Sequence, residues 1–242
     1  MSRLTARTHF LIVAAIWVVL SVIGVAIVAG MQILPTIASR EAAEENRAFV
    51  VMAEASVPVM LLVVVPAVYS IFLFRARADD LTNEGPPIHG HRGFERTWVA
   101  ASFIAVIALA AYGSVGLLEI RGSTDAAVDV KAMASQWKWE YEYPGGIKSK
   151  ELVLPVSQRA RITIVSSDVI HDFSVPAFGV KKDAVPGRET YIFVTPTFTG
   201  HYGAQCAELC GFGHTRMLTD VRVLEPAEFD AWLAQQHAAA AG

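Results

Sequence analysis

Residues 201–217 read HYGAQCAELCGFGHTRM and contain both cysteines of the chain, Cys206 and Cys210, with His214 and Met217 close behind them. The cysteine pair alone reads first as a disulfide, because thiols in an oxidising compartment tend to close. His214 and Met217 on the same glycine-punctuated loop turn the reading towards copper, since thiolate, imidazole and thioether form a soft donor set. A mononuclear blue-copper site draws one Cys, one His and a weak axial Met from such a loop, and a second His from an earlier strand. His171, just after the apolar run RITIV, is placed to be that second histidine. One cysteine is then surplus, and two thiolates able to bridge two ions point to a dinuclear centre. Sharing one electron between two bridged metals needs little rearrangement, which is electron-transfer chemistry. A metal-free domain held by a disulfide remains the competing reading, and it leaves His171, His214 and Met217 without a role.

The elements that position these residues belong to a membrane-anchored chain. Of its 242 residues 53% are hydrophobic, too many for an ordinary soluble protein. The excess lies in three stretches, 10–34, 49–74 and 98–118, each near or above the ~20 residues that cross a bilayer. Arg3 and Arg7 precede the first, and Arg75, Arg77, Arg92 and Arg96 separate the second from the third, so these segments are expected on the cytoplasmic side. Everything after about residue 119 then lies outside. The first run is much longer than the ~7–15 residue core of a signal peptide, so an uncleaved helix is expected over a cleaved one. A net charge of −3 and the lack of a phosphate-cradling glycine loop argue against nucleic acid as a partner.

The outer half reads as β. AVDVKAMASQWKWEYEYPGG alternates and closes on Pro-Gly-Gly, while ARITIVSSD, ETYIFVTP and MLTDVRVLEP are β-branched runs ended by turn residues. Short strands at this spacing predict a sandwich or barrel. PAEFDAWLAQQHAAAA then predicts a short helix with Pro226 in its first turn. The expected boundaries are an N-terminal helix and outer loop over 1–48, a helical hairpin over 49–118, the outer domain over 119–236 and a flexible tail over 237–242.

Three segments, VIHDFSVPAFGVKKDAVPGR, GAQCAELCGFGHTRM and QWKWEYEYP, together resemble subunit II of the haem–copper cytochrome c oxidases, over about residues 49–235. The resemblance implies a CuA domain of cupredoxin fold, in which Cys206 and Cys210 bridge two coppers and His171 and His214 each bind one. It further implies Met217 as a weak ligand to one copper, the backbone carbonyl of Glu208 as a weak ligand to the other, and the Glu208 side chain at a magnesium site shared with subunit I. Trp137 resembles the family's entry point for electrons from cytochrome c. Glu95, three residues before Trp98, matches the glutamate at the mouth of the family's K proton channel, a candidate for proton uptake. Arg188 is a candidate for seating the domain on subunit I. The expected partners are subunit I, subunit III, cytochrome c and lipid, in an energy-transducing membrane such as the bacterial plasma membrane, with the copper domain on the periplasmic side. Glu140 and Glu142 near Trp137 predict steering of a basic cytochrome and a salt-dependent encounter.

Two departures from the family stand out. Members usually have two spans, so 1–48 lies outside the resemblance, and Lys138 replaces an aromatic residue common between the two tryptophans. No C-x-x-C-H is present, so no c-type haem is fused to the chain and the electron donor must be a separate protein. The alternative function is a membrane-anchored copper-binding electron carrier, or a copper carrier, outside any oxidase.

Overall fold

The structure, a computed structural model, describes residues 5–31, 36–75, 90–122 and 125–241. Arg3 and Arg77, counted in the orientation reading, lie outside the described residues. Among the described residues three helices are long and apolar enough to cross a membrane: α1 (Ala6–Gly30), α2 (Arg40–Leu73) and α3 (Arg92–Arg121). The chain divides into two compact units, one of residues 1–32 and 47–115, the other of residues 33–46 and 116–242.

In the first unit α1, the helix outside the family resemblance, is bonded to α2. The Trp17 indole donates to the Pro58 carbonyl (2.8 Å), and His9 Nδ1 lies 2.7 Å from the Tyr69 hydroxyl. In lipid such interhelical bonds satisfy polar groups that no water can reach. Both Pro58 and Pro66 lie inside α2. α3 opens on a reciprocal cap: His91 Nδ1 accepts the Phe94 N–H (3.0 Å), while Glu95 Oε1 accepts the His91 N–H (3.1 Å).

The second unit contains the β-sandwich. Its strands are β1 (Val128–Ser135), β2 (Lys138–Tyr143), β3 (Ile147–Ser149), β4 (Leu152–Pro155), β5 (Ala160–Ser166), β6 (His171–Val175), β7 (Val180–Ala184), β8 (Thr190–Val194), β9 (Gly200–Cys206) and β10 (Leu218–Leu224). One sheet runs β3-β2-β1-β5-β8 and the other β4-β10-β9-β6-β7. The pairs β1–β5 and β4–β10 are parallel, and the remaining pairs are antiparallel. Strict alternation sets the inner face: Val128, Val130, Ala132 and Ala134 of β1 and Trp139, Tyr141 and Tyr143 of β2 are buried. β6 is buried at every position. A fourth helix, α4 (Pro226–Ala241), lays Phe229 and Trp232 against Tyr143, ring centroids 6.5 and 5.0 Å away. It runs on through the alanine stretch, beyond the expected start of a flexible tail at 237, because alanine is the strongest helix former.

The segment before α2 and the helix's first residues also pack on the sandwich. Ala38 donates to the Ala177 carbonyl (2.8 Å) and accepts from Thr197 N–H (2.9 Å), and the Ser39 hydroxyl donates to the Phe178 carbonyl (2.8 Å). Gly179, at φ +63°, lies against Ala42, and a Cβ there would come within 2.9 Å of the Ala42 Cα. Only glycine suits both the close approach and the left-handed backbone. The buried Glu41 carboxylate accepts the Thr195 N–H (2.8 Å) and hydroxyl (3.2 Å) and lies 3.9 Å from Arg159. Arg159 also donates to the carbonyls of Ile120 (3.1 Å) and Arg121 (2.9 Å), capping the last turn of α3.

Replacing Glu41 by Ala strands the Thr195 donors and the Arg159 charge together, so Glu41→Ala is expected to cost about 2–3 kcal/mol of folding free energy. Thermal unfolding of the full chain in detergent, followed by tryptophan fluorescence, checks this. An unchanged midpoint would show that the docked segment carries no stability.

Candidate metal centre

Cys206 is the last residue of β9, and His171 is the first of β6, the neighbouring strand. The two strands pair antiparallel with Phe173 opposite Cys206, so the two ligand-bearing residues meet at one end of the strands. Backbone bonds from Cys206 N–H to the Met217 carbonyl and from Ala207 N–H to the Asp172 carbonyl, both 3.0 Å, close the base of the loop between β9 and β10. That loop returns through a short 3-10 turn, His214–Arg216, which brings His214 and Met217 back under Cys210.

The soft donors form a continuous chain of contacts. His171 Nδ1 lies 3.8 Å from Cys206 Sγ, the two Sγ atoms are 3.8 Å apart, and Cys210 Sγ is 3.7 Å from His214 Nδ1 and 3.8 Å from Met217 Sδ. The Glu208 carbonyl lies 3.2 Å from Cys206 Sγ, while the Glu208 side chain faces solvent. Both cysteines are free, far beyond the ~2.05 Å of a disulfide. All six residues expected as ligands are therefore together. His171, Cys206, Cys210 and Met217 are buried, and His214 is half-buried.

This donor set fits a soft metal. An ion with ligand bonds of about 2.1–2.3 Å holds neighbouring donors about 3.5–3.8 Å apart, the spacing seen along most of this chain of contacts. Burial and then the neighbouring Cys206 thiol push the Cys210 thiol up to about 11, so a cation is needed to draw off its proton near neutral pH.

Asp168 was not singled out in the sequence, yet it organises the site. Its Oδ1 lies 2.8 Å from His171 Nε2 and accepts the Val169 N–H (2.7 Å), and its Oδ2 accepts the Gln136 N–H (2.6 Å). Partial burial raises this carboxyl, but the three hydrogen bonds outweigh it and hold the group down at about 2. The carboxylate keeps the proton of His171 on Nε2 and leaves Nδ1 free towards the sulfurs. Gln136 Nε2 in turn donates to the Cys210 carbonyl (2.6 Å). The one local signal was an aspartate three residues before the ligand histidine, a weak pattern without the fold.

Trp137 follows Gln136 in the turn between β1 and β2, half-exposed, rather than within a strand. Its indole lies across Gly211 and Gly213, and a Cβ at Gly213 would collide with the ring. Glycine beside His214 thus lets an aromatic surface approach the ligand loop. Glu140 is bonded to Lys148 (3.0 Å), and Glu142 faces the same lysine across the β2–β3 register, so one of the two negative charges expected to steer a partner near Trp137 is offset. Arg188 lies in the turn between β7 and β8, its N–H on the Val185 carbonyl (3.1 Å). Glu95 belongs to the other unit, at the first turn of α3.

Residues 147–224, the stretch that holds all six candidate ligands, match the family described as cytochrome c oxidase subunit II, periplasmic domain. The chain is 29% identical to cytochrome c oxidase subunit 2 of a Synechocystis species, over 84% of this chain and 75% of that protein. It is 28% identical to cytochrome c oxidase subunit 2 of Cereibacter sphaeroides, over 77% of this chain and 72% of that protein. Among solved structures, the periplasmic domain of subunit II of the cytochrome oxidase of Bradyrhizobium japonicum is 36% identical, covering 46% of this chain and 94% of that one at a TM-score of 0.45. Three apolar helices and a match to a periplasmic domain fit a bacterial membrane protein. Residues 147–224 therefore carry the periplasmic domain of the cytochrome c oxidase subunit II family.

Proposed function

We propose that Cys206 and Cys210 bridge a pair of coppers, that His171 and His214 each bind one of them through Nδ1, and that Met217 and the Glu208 carbonyl are the weak outer ligands. The observation that carries this reading is the unbroken run of soft donors, with both thiols free. When bound, such a pair supplies a one-electron carrier that changes shape little between its redox states. The residues of the chain do the rest. The β6–β9 pairing fixes the spacing of His171 and Cys206, Asp168 holds the imidazole in one tautomer, and the buried sulfurs are kept from solvent. A rigid, dry ligand set keeps the reorganisation on electron arrival small.

The protein is a subunit of a haem–copper terminal oxidase, and its task in this reading is electron entry. Trp137 receives the electron from cytochrome c at the surface, and subunit I, where oxygen is reduced, receives it next. The exposed Glu208 carboxylate is free of protein ligands in this reading and holds a magnesium ion shared with subunit I. Glu95 takes up protons at the cytoplasmic end of α3, the helix start where positive charge in the flanking Arg92 and Arg96 gathers. The chain then crosses the membrane three times, with residues 119–236 on the periplasmic side, and associates with subunits I and III. The compact outer unit also takes in residues 33–46, so the functional outer domain includes that segment.

The full chain loaded with copper in detergent is expected to hold two coppers and to show the multi-line EPR pattern of one electron shared by two nuclei. One copper with a simple mononuclear pattern would refute the dinuclear reading, and a disulfide-bonded, metal-free protein would refute the copper centre itself.

Cys210→Ser is expected to destroy or convert the centre, because a bridging thiolate supplies charge and covalency to both ions. Met217→Leu is expected to retain copper at a shifted potential, since a thioether is a weak axial donor. Metal analysis with redox titration compares the two, and equal loss of metal would overturn the ranking.

Glu95→Ala in the assembled oxidase is expected to leave electron entry at wild-type rate and slow reduction of the haem in subunit I. Because Glu95 also caps α3, Glu95→Gln, which keeps the acceptor for the His91 N–H, separates the roles: a proton-uptake residue fails in both variants, and a cap fails only in the first.

A further inference from the structure

The end of the outer unit that carries the metal centre is built from three segments: the turn 135–138, the loop 167–170 and the loop 207–217. They are tied to one another, since Gln136 donates to Asp168 from its backbone and to the Cys210 carbonyl from its side chain. Trp137 lies across the backbone of Gly211 and Gly213, and between these two glycines Phe212 projects with 90% of its surface exposed. Val169 and Ile170, beside Asp168, are 38% and 48% exposed. An exposed aromatic ring at the tip of a loop, on the residue between the two glycines that a half-exposed indole covers, places two apolar side chains at the same end of the unit.

The charge on these segments cancels. They contain Lys138 and Arg216 against Asp168 and Glu208. Asp168 is engaged by three donors, and of the nearest acids on β2 Glu140 is paired with Lys148, while Glu142 faces the same lysine and leaves one negative charge over. Any long-range field that would draw a highly basic partner from a distance is therefore weak at this end.

We infer that Phe212 is a contact residue for the electron donor together with Trp137, and that the donor is a c-type cytochrome whose exposed haem edge is ringed by apolar and uncharged side chains rather than by lysines. The inference rests on the electron-entry reading above and goes beyond it by assigning the docking chemistry. Two aromatics on neighbouring segments that pack a flat haem edge lose little side-chain entropy on docking and exclude water from the transfer path. Association of this kind is driven by apolar burial, so screening by salt leaves it nearly unchanged.

The test uses the assembled oxidase and two reduced cytochromes c, one with a lysine-ringed haem edge and one with an uncharged, apolar edge. Electron entry is followed by stopped-flow absorbance while salt is raised from about 0.01 M to about 0.1 M, which shortens the Debye length from about 30 to about 10 Å. The wild type is expected to accept electrons from the apolar-edged cytochrome faster, with a rate that changes less than about twofold over this range. Phe212→Ser is expected to slow that reaction by about tenfold, the loss of a hot-spot aromatic. Its copper content and EPR spectrum stay at wild-type values, and Phe212→Trp restores the rate. A steep fall with salt, preference for the lysine-ringed donor, or an unchanged rate in Phe212→Ser each overturns the inference while leaving electron entry intact. Loss of subunit I from the Phe212→Ser complex would assign the ring to that interface instead and also overturn it. No electron transfer from either cytochrome to copper-loaded oxidase would bring down the electron-entry reading itself.

Discussion

The pairing of β6 with β9 is the constraint on which the metal centre depends. A soft metal needs imidazole and sulfur within about 4 Å of each other, and here those groups come from positions 35 residues apart in the chain. Backbone hydrogen bonds between the two strands and from β9 to the Met217 carbonyl align them without help from the ligands themselves. A slip of one residue in the register would turn His171 away from Cys206, because side chains alternate across a strand. Burial of β6 at every position penalises such a slip, since it would change the packing of Phe173 and Val175.

Asp168 extends that order from the ligands to the surface. One carboxylate oxygen fixes the His171 ring and the other holds the Gln136 backbone, while the Gln136 side chain reaches the Cys210 carbonyl. The turn that presents Trp137 is thereby tied to both a ligand histidine and a ligand cysteine. A turn anchored in this way keeps the indole at a defined position over Gly211 and Gly213.

At the other end of the outer unit a second buried carboxylate has a comparable role. Glu41 accepts two hydrogen bonds from Thr195 and faces Arg159, and Arg159 caps the last turn of α3. The first residues of α2 and the last of α3 are thus joined to the sandwich through one acid and one guanidinium. The bidentate reach of Arg, which a Lys lacks, lets a single side chain serve the two helix ends at once.

The candidate donor set was legible in the sequence because five of its six residues lie within residues 206–217, where spacing alone reports proximity, and because thiol, imidazole and thioether together suit few other purposes. The strands of the sandwich were legible through their two-residue period, and the three spans through their length and apolarity. The closing helix was legible as well, since PAEFDAWLAQQHAAAA spans the range of α4, alanine continuing it by propensity alone. Tertiary structure alone decided the remainder. Asp168 and Glu41 are ordinary acids by composition, and only the fold brings donors from distant segments to their oxygens. Glu140 and Glu142 read as a steering patch because acids count as charge in a sequence, but the β2–β3 register sets Lys148 beside them and offsets one of the two charges. Proximity within a loop is written into spacing, while contacts across sheets depend on register, which no single segment of the chain contains.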